Sequence, residues 1–196
     1  MKKAFTLLEL VFVIVIAGIL AFVLIPKSSD TKLLESANQL ISHIRYAQQL
    51  ALNNDQFDPN DKDWYKKMWR IEFENNGTYK VWRGADATSN KIAPDPANPG
   101  QKLKDVQLKR GIVAKGKKVI FDELGRVYSD QATNKSYEHK IDTNTTIKLC
   151  KGSASSDCTG KERIELTIQA ETGYIFPKHC GAANKDGVSS CKVLDI

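Results

Sequence analysis

The chain has no Cys-x-x-Cys pair, no Gly-x-Ser-x-Gly turn and only three histidines in its 196 residues. Each absence removes a chemistry. Without close-spaced thiol pairs a structural zinc site lacks its ligands. Without a nucleophile elbow, or a histidine set beside a Ser, Cys or Thr, a nucleophilic hydrolase lacks its base. His139 and His179 stand next to lysines in expected loops and read as solvent-facing, and His43, like Arg45, falls on a helical pattern and needs no chemical role. No enzyme and no cofactor is expected. Cysteine is missing altogether from the first three quarters of the chain: Cys150, Cys158, Cys180 and Cys191 all lie in the last. Four cysteines allow three pairings. Cys150 with Cys158 and Cys180 with Cys191 are preferred, because each closes a short loop containing Gly, Ser or Asp, and disulfides imply an oxidising compartment.

Charge of one sign is in modest excess. The whole chain carries +6, and residues 55–196 hold 24 Lys and Arg against 20 Asp and Glu. That balance permits contact with nucleic acid or anionic lipid without demanding it. The densest feature is Lys102, Lys104, Lys109, Arg110, Lys115, Lys117 and Lys118, opposed within the stretch only by Asp105. Of these, Lys109, Arg110, Lys115, Lys117 and Lys118 are candidates to follow a DNA backbone. The plainer account is a strand edge guarded by cations, since Leu103, Val106, Leu108, Ile112 and Val113 suit a half-buried sheet. Asp55, Asp58, Asn60, Asp61 and Asp63 supply oxygen ligands of the kind calcium takes, but lack the spacing, glycine and terminal glutamate of an EF-hand. A solvated loop is the simpler reading, and no metal is expected.

Against these shortages stands one long apolar run. From Phe5 to Ile25 only Thr6, Glu9 and Gly18 interrupt 21 residues. As a helix at about 1.5 Å per residue it would reach roughly the thickness of a bilayer core. A cleaved secretory signal is disfavoured: the run is long and ends in Pro26-Lys27, with no small-x-small site after it. A plain anchor, with Lys2 and Lys3 holding the N-terminus on the cytoplasmic side, leaves Glu9 unexplained. A carboxylate there costs about 2.5 to 3.5 kcal/mol on insertion scales unless something answers its charge.

Lys2-Lys3-Ala4-Phe5-Thr6-Leu7-Leu8-Glu9-Leu10 resembles the class III signal of type IV pilins and type II secretion pseudopilins. The resemblance implies that a prepilin peptidase cuts between Ala4 and Phe5 and methylates the Phe5 amine. It also implies that Glu9 pairs with the N-terminal amine of a neighbouring subunit, and that Gly18 and Pro26 loosen and kink the helix. Ala4 departs from the glycine the family usually has before the cut.

After Pro26 the pattern becomes amphipathic: Leu33, Ala37, Leu40, Ile41, Ile44, Ala47, Ala51 and Leu52 recur at helical spacing as far as about Asn54. Beyond it lie short alternating runs closed by turns. Trp69 to Glu74 and Thr78 to Arg83 flank Asn75-Asn76-Gly77. Lys118 to Phe121 and Arg126 to Tyr128 flank a turn ending at Gly125. Arg163 to Ile168 and Tyr174 to Phe176 flank one ending at Gly173. Thr146 to Leu149 reads as a further strand, and Pro94, Pro96 and Pro99 mark Ile92 to Gly100 as an irregular loop. The order of a helix carrying Arg45-Tyr46-Ala47-Gln48-Gln49, an Ile-x-Phe strand with a glycine turn, and a late strand with another is similar to the GspH/FimT group of minor pseudopilins.

The expected fold is therefore α+β and pilin-like: one long helix over 5–54, membrane-spanning over 5–25, packed on an antiparallel, β-rich, sandwich-like head over 55–196, with 1–4 a removable leader. The expected location is the inner membrane, single-pass, N-terminus cytoplasmic and head periplasmic, and a filament after assembly. The expected function is that of a minor pseudopilin or pilin in a secretion or pilus-like filament. Its partners would be other pilins, the prepilin peptidase and an inner-membrane assembly platform. Two alternatives stand beside it: a pseudopilin of a DNA-uptake system, and a membrane-anchored periplasmic binding module.

Overall fold

A computed structural model of the protein describes residues 7–23, 28–56, 58–61, 63–84, 91–128, 144–153, 155, 157–185 and 187–195. The chain divides into two compact units, Met1–Thr31 and Lys32–Ile196.

The expectation of one long N-terminal helix is overturned. Two helices occupy that region, α1 (Leu7–Val23) and α2 (Ser28–Asn53). Residues 24–27 between them, and so Pro26, lie outside the described residues. The 17 residues of α1 correspond to roughly 25 Å, short of the roughly 30 Å of a bilayer core. Among the described residues no helix is long and apolar enough to cross a membrane. The pilin-like fold with its 5–54 helix, and the single-pass inner-membrane location that rested on it, are therefore not supported. The apolar composition of residues 5–25 was a sound guide to hydropathy and a poor one to the length of the helix.

The second unit is β-rich. After a 3-10 turn at Trp64–Lys67 come β1 (Arg70–Phe73), β2 (Tyr79–Arg83), β3 (Lys91–Ile92), β4 (Ile112–Lys115) and β5 (Val119–Phe121). They are followed by β6 (Val127–Tyr128), β7 (Thr145–Lys151), β8 (Arg163–Ile168), β9 (Ile175–Cys180) and β10 (Cys191–Val193). These strands form two five-stranded sheets, in the orders β3-β2-β1-β5-β6 and β10-β9-β8-β7-β4. Every strand pair is antiparallel. The Asn75-Asn76-Gly77 hairpin puts Phe73 opposite Tyr79, and the Gly125 turn puts Phe121 opposite Val127. The chain changes sheet between β4 and β5 over Gly116 to Lys118, so of the basic stretch Lys117 and Lys118 lie in this crossover.

One core joins both layers to α2. From the helix come Leu33, Ala37, Leu40, Ile41, Ile44, Ala47 and Ala51. From the first sheet come Ile71, Val81, Val119, Phe121 and Val127, and from the second Ile147, Leu149, Ile164, Leu166 and Ile168. The helical spacing of the first set gives α2 a single apolar stripe, and the alternation in β8 sends Ile164, Leu166 and Ile168 inward while Arg163, Glu165 and Thr167 face out.

Arg70 and Asp122 are among the buried polar side chains. Arg70 is 1% exposed; its guanidinium donates to the carbonyls of Lys66, Met68 and Gly84 and lies 4.5 Å from the centre of the Trp82 ring. Asp122, also buried, accepts from the backbone N–H groups of Leu124 and Arg126 and from Arg126 Nε at 2.7 Å, which fixes the turn between β5 and β6.

Candidate functional site

Helix α1 carries the first candidate site. Its large apolar side chains from Leu7 to Leu20 are turned out around the whole circumference, from 48% exposure at Val11 to 81% at Leu7. Glu9 is exposed in the first turn and is the only charged residue of the helix. A carboxylate there is favoured by the partial positive charge of the helix N-terminus. Gly18 sits within α1, and a Cβ added there would meet nothing within 4 Å. Ala4 and Phe5, the expected processing residues, lie outside the described residues.

In the second unit the structure gathers residues that are far apart in the sequence. Gln48 Nε2, on α2, donates to the carbonyl oxygen of Gly125 at 3.1 Å and to that of Thr172 at 2.9 Å. One helix side chain thereby ties together the turn after β5 and the turn after β8. Gly125 and Gly173 both have positive φ, 75° and 64°, and Gly173 packs so tightly that a Cβ there would lie 2.6 Å from the Gly125 carbonyl oxygen. The helix segment and the two glycine turns that suggested a minor pseudopilin are thus one joint. Its function within the molecule is to close the ends of both sheets onto α2.

Sequence reasoning missed a buried polar pair that links the same helix to β2. His43 is 7% exposed, and its Nδ1 lies 2.7 Å from Tyr79 Oη of β2. Burial holds the imidazole below its ordinary value of 6.5, with Asp95 pulling weakly the other way, and burial pushes the Tyr79 phenol up. The signal available in the sequence was a histidine on the apolar stripe, between Leu40 and Ala47.

The basic residues do not converge on a single cavity. Lys109 and Arg110 line a surface groove of about 500 Å³ with Asn76, Thr78, Gln107 and Ser153, and Lys109 Nζ is 3.4 Å from Glu35 of α2. Lys115 closes β4, on the outer face of the second sheet opposite Lys148, while Lys117 and Lys118 belong to the crossover. β4 is an edge strand and β5 is not. The cations at β4 therefore suit a guarded edge.

The acidic loop is organised by its own protein partners. Asp58 and Asp61 accept from the backbone N–H groups of Asn60 and Asp63, Asp61 is 2.5 Å from Lys67, and Asp63 is 2.7 Å from Lys66. Lysine nitrogens occupy oxygens that a calcium ion would need. Glu165, Cys180 and Cys191 have ligand atoms within 4.8 Å of one another, but the two sulfurs are bonded to each other and have no lone thiolate to offer. Cys150 is bonded to Cys158 and Cys180 to Cys191, the two short-loop pairs. His179 stays near the surface, 3.1 Å from Glu162, and His139 lies outside the described residues.

Comparison with protein-family models, with curated proteins and with solved structures finds no match.

Proposed function

We propose that the protein is a minor subunit of a type IV pilin-like filament of the kind that serves type II secretion, and that it acts in assembly and not in catalysis. The observation that carries this reading is the exposed apolar surface of α1. Side chains from Leu7 to Leu20 that are half or more open to water amount to a surface far larger than a soluble domain leaves uncovered without a partner. In a filament that partner is the same helix of neighbouring subunits. Cutting between Ala4 and Phe5 frees an amine four residues before Glu9, and the amine of one subunit answers the Glu9 carboxylate of the next. An opposite charge at close range in a dry helix bundle is what makes a carboxylate tolerable there. The second unit supplies the surface that fixes the subunit's place in the filament.

The test is the mass of the chain expressed with and without a prepilin peptidase. The reading expects loss of Met1 to Ala4 and gain of one methyl group on Phe5 when the peptidase is present. An unchanged mass, with a control pilin processed in the same cells, contradicts it.

A further inference from the structure

The two disulfides stand in opposite surroundings. Cys150 and Cys158 are 0% and 1% exposed and are covered together with Val113 on the second sheet. Cys180 is 0% exposed, but its partner Cys191 is open to solvent at the start of β10. Thiol–disulfide exchange needs a thiolate to reach one sulfur in line with the bond, so access decides which disulfide reacts.

β10 has little else to hold it. It is three residues long, it pairs with β9 alone, and all three residues are exposed, Val193 at 65%. Cys191 lies directly opposite Cys180, so the disulfide staples the strand at its first residue. Beyond the ladder, the segment is held by Gly181 N–H to Ser190 O at 3.0 Å, Leu194 N–H to Pro177 O at 3.0 Å, Arg163 to the Ser189 hydroxyl at 3.1 Å, and the packing of Leu194 against the main core. A three-residue edge strand makes few pairing bonds, so a cross-link at its first residue is a large share of what holds it.

We propose that Cys191 is a thiol–disulfide exchange site whose co-reactant is a dithiol, and that reduction there releases β10 from the sheet while the Cys150–Cys158 bond stays closed. A thiolate of the dithiol attacks Cys191 Sγ, the sulfur–sulfur bond breaks, and Cys180 leaves as a thiolate that takes up a proton. The second thiol of the dithiol then displaces Cys191, giving a cyclic disulfide and two protein thiols; two electrons pass from dithiol to protein. Release of β10 uncovers the backbone edge of β9, a row of N–H and C=O groups open to an added strand. The exchange site is independent of the filament reading and stands or falls without it.

The experiment uses the full chain and dithiothreitol as the dithiol. Samples are reduced for graded times, quenched with N-ethylmaleimide and mapped by peptide mass, with amide hydrogen exchange followed in parallel. Labelling of Cys180 and Cys191 at least tenfold faster than of Cys150 and Cys158 is expected, with faster exchange over 187–195 and unchanged exchange in β7 and β8. Equal labelling of the two pairs, earlier labelling of Cys150 and Cys158, or a β10 that stays protected once Cys180 and Cys191 are labelled would each overturn the proposal. The Cys191→Ser chain gives a second reading without reductant: its 187–195 segment exchanges like that of the reduced wild type, and protection equal to the oxidised wild type counts against the release.

Discussion

At the scale of single residues, the head is held by contacts that admit few substitutions. Gly125 and Gly173 both need a left-handed backbone, which costs a side-chain-bearing residue about 1–3 kcal/mol. They differ in what a Cβ would meet. At Gly125 the nearest atom is the flexible end of Gln48, at 2.9 Å, whereas at Gly173 it also meets the Gly125 carbonyl, which cannot swing aside. Gly173→Ala is therefore expected to destabilise the chain by more than Gly125→Ala, by about 1 kcal/mol or more, in urea unfolding followed by tryptophan fluorescence. Equal losses would show that the two turns are not packed as described. His43 sets a pH dependence. Its folded value lies below 6.5, so the unfolded chain binds a proton that the folded head refuses. The contribution is complete above about pH 6.5 and is lost progressively as pH falls from there toward the folded value. The His43→Gln chain should show a flatter stability profile over that window, and an unchanged slope would assign the dependence to other groups.

The scale of elements is where sequence and structure agree in part and diverge in part. Hairpins whose turns carry Gly77, Gly125 and Gly173 were legible because alternation and turn chemistry are local, and the strands fall where those patterns put them. The apolar stripe of α2 was legible for the same reason, and it ends at Asn53, beside the expected limit. β3 and β10 were not: they hold two and three residues, too few to carry a pattern of their own, and pairing with the preceding strand defines them. β9 runs on through Pro177 and Lys178 to Cys180, past the expected Tyr174 to Phe176, because it pairs with β8 over its whole length and with β10 at its end. The joint at Gln48 was invisible as a contact, since it brings together residues 77 and 124 positions apart. The buried stripe yields a test of its own. Leu40 is 0% exposed and Leu52 is 51% exposed. Leu40→Ala should cost about 2–5 kcal/mol and Leu52→Ala within about 0.5 kcal/mol by chemical denaturation. A similar cost for both would mean that α2 is not packed by this stripe.

For the whole molecule, the division into Met1–Thr31 and Lys32–Ile196 separates two kinds of surface. The second unit satisfies itself: both sheets and α2 share one core, and its disulfides close short loops. The first leaves α1 with apolar side chains on every face and one carboxylate among them. Hydropathy alone made that helix a membrane span, an inference that its 17 residues do not support. The same exposed surface still calls for a cover, and the proposed filament would supply one in the helices of other copies. The claim is tested most directly by incorporation into filaments. Cells expressing the prepilin peptidase and the remaining subunits of the filament are sheared, and the pelleted filaments are probed for this chain as wild type and as Glu9→Ala. The account predicts that the wild type enters the filament fraction and that Glu9→Ala falls at least tenfold while its level in the cell is unchanged. Equal recovery of the two chains, or absence of the wild type from filaments that form normally, would contradict it.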